Sequence, residues 1–125
     1  MWLRQLFDPD TSTYTYLIVD EQTREAALID PVRETFARDA QLIDELQLQL
    51  RYVLETHVHA DHVTGASALR ERFGAGAAVA RAGGAAFADV PIDDGAVVHV
   101  GGLALEARAT PGHTDSCLTW VLRDG

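Results

Sequence analysis

Residues 56–62 read Thr56-His57-Val58-His59-Ala60-Asp61-His62, and this stretch decides both the fold and the chemistry. Four of the five histidines fall here and in a second segment, Thr110-Pro111-Gly112-His113-Thr114-Asp115. Three His and one Asp at fixed places in a six-residue window arise by chance in roughly one such chain in a thousand, by counting matches to a template. In an extended segment residues i, i+2 and i+4 share a face, so His57, His59 and Asp61 can point the same way. His62 would point away if the strand continued, but a helix starting there brings it back toward the same cavity. Neutral imidazole is a common metal ligand and carboxylate a hard anionic one, so the set can hold one metal ion or two neighbouring ones. His113, after a Pro-Gly turn, could then arrive from another loop. So many polar groups in one turn would be costly to bury without a shared partner.

The flanks of the cluster give its setting. Arg51-Tyr52-Val53-Leu54-Glu55 reads as a strand before it, and Val63, Ala66, Leu69 and Phe73 follow at helical spacing, so the histidines lie in a strand-to-helix turn. Further upstream, Thr13 to Val19 is rich in β-branched and aromatic residues and Ala26 to Ile29 is a second apolar run, which predicts two strands of one sheet. Asp30-Pro31 breaks the pattern. Phe36, Ala40, Ile43, Leu46 and Leu50 then recur at spacings of four and three and draw one apolar helical stripe. Asp30 ends a strand just before a turn, where it either caps the following helix or orients the histidine loop. The Ala/Gly-rich residues 74–86 read as connections. Ala96 to Val100 and Leu103 to Ala109 flank Gly101-Gly102 as a hairpin, and Cys117 to Leu122 is a last strand. His99, within an alternating strand, reads as an ordinary strand residue, and Cys117 as a small core residue. The predicted class is α/β or α+β with a mixed sheet, in one domain over residues 1–125.

Composition narrows the function. The 125 residues are 47% hydrophobic and 23% charged, within the range of a folded domain rather than a disordered one. Ten basic against nineteen acidic residues give a net charge of −9, and every basic residue is Arg, which argues against a nucleic-acid binder. The longest stretch without a charged side chain, Gly95 to Leu105, is far shorter than the roughly 20 residues of a membrane span. The N-terminus does not read as a secretory signal. The single cysteine permits no intrachain disulfide and points to the cytoplasm.

His57-Val58-His59-Ala60-Asp61-His62 resembles the H-x-H-x-D-H signature of the metallo-β-lactamase fold superfamily; His113 in Pro-Gly-His-Thr matches its next metal motif and Asp30 its first acidic position. Residues 7–17, 56–65 and 110–119 together look like the persulfide dioxygenases, or sulfur dioxygenases, more than glyoxalase II. The resemblance implies the N-terminal half of an αββα sandwich. It also implies one Fe(II) per chain, which uses O2 to oxidise glutathione persulfide to sulfite and glutathione. His57 and His113 would be iron ligands, and the third, an Asp in a Gly-Asp segment, would lie beyond Asp124 and Gly125. Two His and one carboxylate leave adjacent coordination positions open for substrate sulfur and O2. His59, Asp61 and His62 would line a neighbouring position, a second metal site in glyoxalase II.

Three functions are therefore in play. The leading expectation is the N-terminal part of a persulfide dioxygenase. The second is a glyoxalase II-type thioester hydrolase, with His57, His59, Asp61, His62 and His113 holding two Zn2+ ions that lower the pKa of a bridging water. The third is a catalytically inactive metal-binding fragment. Half a sandwich leaves an apolar sheet face uncovered, which predicts a homo-oligomer.

Overall fold

The computed structural model describes residues 2–9, 13–31, 35–56, 65–80, 90–109 and 118–124. Strands β1 (Trp2–Asp8), β2 (Thr13–Asp20) and β3 (Glu25–Ile29) form an antiparallel meander. Helix α1 (Phe36–Glu45) leads to β4 (Gln49–Leu54), and α2 (Gly65–Phe73) to β5 (Gly76–Ala80) and β6 (Val90–Ile92), each new strand parallel to the one before. These six strands make one mixed sheet in the order β1-β2-β3-β4-β5-β6. Strands β7 (Val97–Val100), β8 (Leu103–Ala109) and β9 (Leu118–Asp124) form a second, antiparallel sheet.

Alternation along the strands builds two cores. On β2, Ile18 faces the second sheet, where it joins Ala27, Leu54, Val98, Val100 and Leu105. Leu17 and Val19 face the other way, onto a layer with Ile43 of α1 and Leu69 of α2. The predicted α/β class with a mixed sheet is what forms: helices on one face of the larger sheet, a second sheet on the other.

The boundaries differ from the sequence reading at four places. Leu50 belongs to β4, because α1 ends at Glu45 and the chain turns at Leu46 and Gln47, whose φ is +55°. Residues 76–80 are a strand rather than connection. Ala77 and Ala78 are fully buried between α2 and the second sheet, so small side chains mark close packing there, not a loop. Strands β1 and β6 were not expected. The predicted hairpin at Gly101-Gly102 is present, with Gly101 at φ +58°. A Cβ on Gly101 would collide with the Asp20 and Thr23 side chains, so glycine is required for closeness as well as for backbone angle.

Candidate metal centre

The histidine-bearing segments, with His57, His59, Asp61, His62 and His113, lie outside the described residues, as does Cys117. What the structure describes is how the roots of these segments are held. Among the described residues no group of three or more His, Cys, Asp or Glu could hold a metal ion.

Thr56, the residue before His57, is fastened by Asp30. Its backbone N–H donates to Asp30 Oδ1 at 2.8 Å and its hydroxyl to Oδ2 at 2.6 Å. The Asp30 N–H donates to the Leu54 carbonyl at 2.8 Å, and the Asp30 carbonyl accepts from the Thr15 hydroxyl at 3.0 Å. Asp30 has φ +55°, a left-handed conformation that Asp tolerates better than most residues. Four hydrogen bonds hold it there, which is how an unfavourable backbone angle persists beside a site. Both carboxylate oxygens are engaged with Thr56, so Asp30 acts as an anchor of the loop rather than as a helix cap: no side-chain bond caps α1.

The second root comes from the other sheet. Ala109 of β8 pairs with Leu118 of β9, so residues 110–117, with His113, span the gap between these strand ends. Trp120 Nε1–H donates to the carbonyl of Glu55 at 3.2 Å, a bond between sheets to the residue just before Thr56. Thr56, Thr119 and Trp120 line one groove of about 350 Å³ together with Tyr16 and Ile29. The starting points of both histidine segments thus meet at one end of the sandwich, where the ends of β3 and β4 also lie. An open end of a layered fold, fed by loops, is where sites are commonly built.

Two residues lie elsewhere. His99 is exposed between buried Val98 and Val100 and lines a different cavity of about 670 Å³ with Arg51 and Tyr52. Asp124 pairs with Leu103, five residues and so about 17 Å along β9 from Thr119. The sequence reading did not single out Trp120. Its signal was weak: an indole in a strand, with a donor that needs a partner when half-buried.

The family model described as the metallo-beta-lactamase superfamily matches residues 8–125. The chain belongs to the metallo-β-lactamase superfamily. Within it, the human protein named persulfide dioxygenase ETHE1, mitochondrial, is 53% identical over 123 residues, covering 98% of this chain and 48% of its own length. The crystal structure of ETHE1 from Myxococcus xanthus superposes with a TM-score of 0.91 at 52% identity, covering 98% of this chain and 54% of that one. A hydroxyacylglutathione hydrolase of Pseudomonas entomophila is 38% identical over 111 residues, covering 83% of this chain and 40% of its own length. The expected resemblance to the N-terminal half of persulfide dioxygenases is borne out, and the chain spans about half the length of these relatives.

The donor set suits this superfamily's metal chemistry. Imidazoles and a carboxylate follow directly on an anchored Thr56, and another imidazole segment is rooted across the same groove, so the residues present fit a bound metal ion.

Proposed function

We propose that this chain supplies the N-terminal part of a persulfide dioxygenase, with His57 and His113 as two of three ligands to one Fe(II). One observation carries the site: the Trp120–Glu55 bond holds the roots of both histidine segments at a single groove. The choice of reaction rests on the 53% identity to proteins named persulfide dioxygenases. Iron held by two His and one carboxylate supplies open adjacent positions for a thiolate-like sulfur and for O2. The overall reaction balances as glutathione persulfide plus O2 plus water giving glutathione, sulfite and two protons. The sulfane sulfur is oxidised and O2 reduced.

The chain's own residues have narrower tasks. Asp30 and Thr56 fix where the chain leaves β4, so that His57 starts from a set position. His59, Asp61 and His62 line the neighbouring position. The third ligand would be the carboxylate of a Gly-Asp segment outside residues 1–125, as the resemblance implies; Asp124 sits five residues along β9 from Thr119. The partners are glutathione persulfide and O2, without nucleic acid. No helix among the described residues is long and apolar enough to cross a membrane. One cysteine suits a reducing compartment, and we place the protein in the cytoplasm.

The full-length parent, loaded anaerobically with Fe(II), should consume one O2 per glutathione persulfide and release sulfite; no O2 uptake would sink the reading. A glyoxalase II-type hydrolase is the second reading, favoured by the 38% identity to a hydroxyacylglutathione hydrolase. Metal analysis separates them. One iron per chain supports the dioxygenase, and two Zn2+ with thioester hydrolysis supports the hydrolase.

A further inference from the structure

The peptide group that joins Glu55 to Thr56 is gripped on both sides. Its N–H, carried by Thr56, donates to Asp30 Oδ1 at 2.8 Å, and its C=O, carried by Glu55, accepts from Trp120 Nε1–H at 3.2 Å. The peptide is trans, so these two groups point in opposite directions from one rigid plane. Asp30 follows β3 of the larger sheet and Trp120 lies on β9 of the smaller one, so the plane is held from two sheets at once. A peptide that accepts on one side and donates to a carboxylate on the other is polarised by both partners, and each bond strengthens the other.

Both grips are themselves fixed. Asp30 is bonded through its backbone to Leu54 and Thr15. Trp120 stands opposite Ala107 on β8, and its ring packs against the buried cluster that holds Ile18, Leu54 and Ala107. The preceding peptide is tied as well, because the Glu55 N–H donates to the Ala78 carbonyl at 3.1 Å. All of these bonds join residues within the chain and between its layers, whatever packs on its outer surfaces. With two successive peptide planes set, the chain has one direction in which to leave Thr56 toward His57. Metal–ligand distances tolerate only about 0.2 Å, so the direction of entry bears on affinity.

We infer that Trp120 is a positioning residue for His57: with Asp30 it forms a two-sided clamp on the Glu55–Thr56 peptide, and the clamp raises the affinity of the site for its metal ion. The inference rests on the reading of His57 as a ligand, and it holds for one iron or for two zinc ions alike. Trp120 acts through the second sheet, whereas Asp30 acts from the same sheet as Thr56. Because both act on one plane, loss of either frees the same motion, and their effects are coupled.

The test uses the full-length parent with Trp120→Phe, which keeps a ring and loses the donor, with Asp30→Ala, with the double variant, and with His57→Ala as a control. Co(II) is the probe, its affinity read by chelator competition and its coordination geometry by its visible bands. Trp120→Phe should weaken Co(II) binding about three- to tenfold, the effect of one neutral hydrogen bond, and shift the visible bands. Asp30→Ala should cost more, about 10–100-fold. The double variant should lose less than the product of the two single losses, and His57→Ala should lose most of its binding. Parent-like affinity and bands in Trp120→Phe, with binding lost in His57→Ala, overturn the clamp and leave the ligand reading standing. Parent-like binding in His57→Ala removes the ligand reading and the inference with it. A double variant that loses the full product shows that Trp120 and Asp30 act independently, which also overturns the clamp.

Discussion

At the scale of single residues, one carboxylate holds the residue from which the histidine segment starts. Asp30 has no oxygen left over after Thr56 has donated twice, so its removal would free the start of the histidine segment without deleting a ligand. Groups that orient ligands typically change metal affinity 10–100-fold when lost. In the full-length parent, Asp30→Ala and Thr56→Val should each weaken iron binding by about that range in chelator competition. The saturated enzyme should keep most of its kcat. Affinity equal to the parent in both variants would show that the loop is set by other contacts. The sequence showed both residues, since Asp30 ends an apolar run and Thr56 precedes the first histidine. It could not show that they touch, because the bond spans 26 residues and follows from how β3 and β4 align.

At the scale of elements, legibility followed side-chain size. Strand β2 and helix α1 were readable because branched and aromatic residues alternate in one and recur at helical spacing in the other. Strand β5, Gly76-Ala77-Ala78-Val79-Ala80, was not, since Gly and Ala carry little strand preference of their own. Only the layers above and below explain it. Leu54 and Ala78 are register partners on adjacent parallel strands, both fully buried against the second sheet. A larger residue would have to push the sheets apart. Ala78→Leu should therefore destabilise by about 1–3 kcal/mol, and Leu105→Ala, which opens a cavity in the same layer, by about 2–5 kcal/mol. Urea unfolding midpoints measure both. Equal midpoints for Ala78→Leu and the parent would mean that the layer has slack.

At the scale of the whole molecule, the two sheets are unequal, six strands against three among the described residues, and one carboxylate ties them at the end away from Thr56. The inequality leaves Leu3 and Phe7 exposed on β1. Residues 1–125 alone should therefore self-associate in sedimentation velocity, and a monomer at all concentrations would count against this. The tie is Asp20. It accepts from the Gly102 N–H at 2.7 Å across to the second sheet, and from the Gln22 N–H and the Thr23 hydroxyl within its own turn, each at 3.1 Å. The Gly102 donor, helped by the other two, holds the Asp20 carboxyl below the ordinary carboxylate range against an opposing effect of burial. A group whose pKa is lower folded than unfolded binds protons more readily when unfolded. Its contribution is complete above the unfolded value, about 3.9, and is lost as pH falls through the folded one. Between pH 7 and 5 the Asp20 contribution should stay constant, and below about pH 4 it should fall. Asp20→Asn, which cannot titrate, should lower stability at pH 7 and flatten the acid limb of a urea-midpoint profile taken from pH 7 to 2. Parallel acid limbs in the two proteins would show that the sheets are held together by their apolar layer alone, with Asp20 contributing only to its own turn.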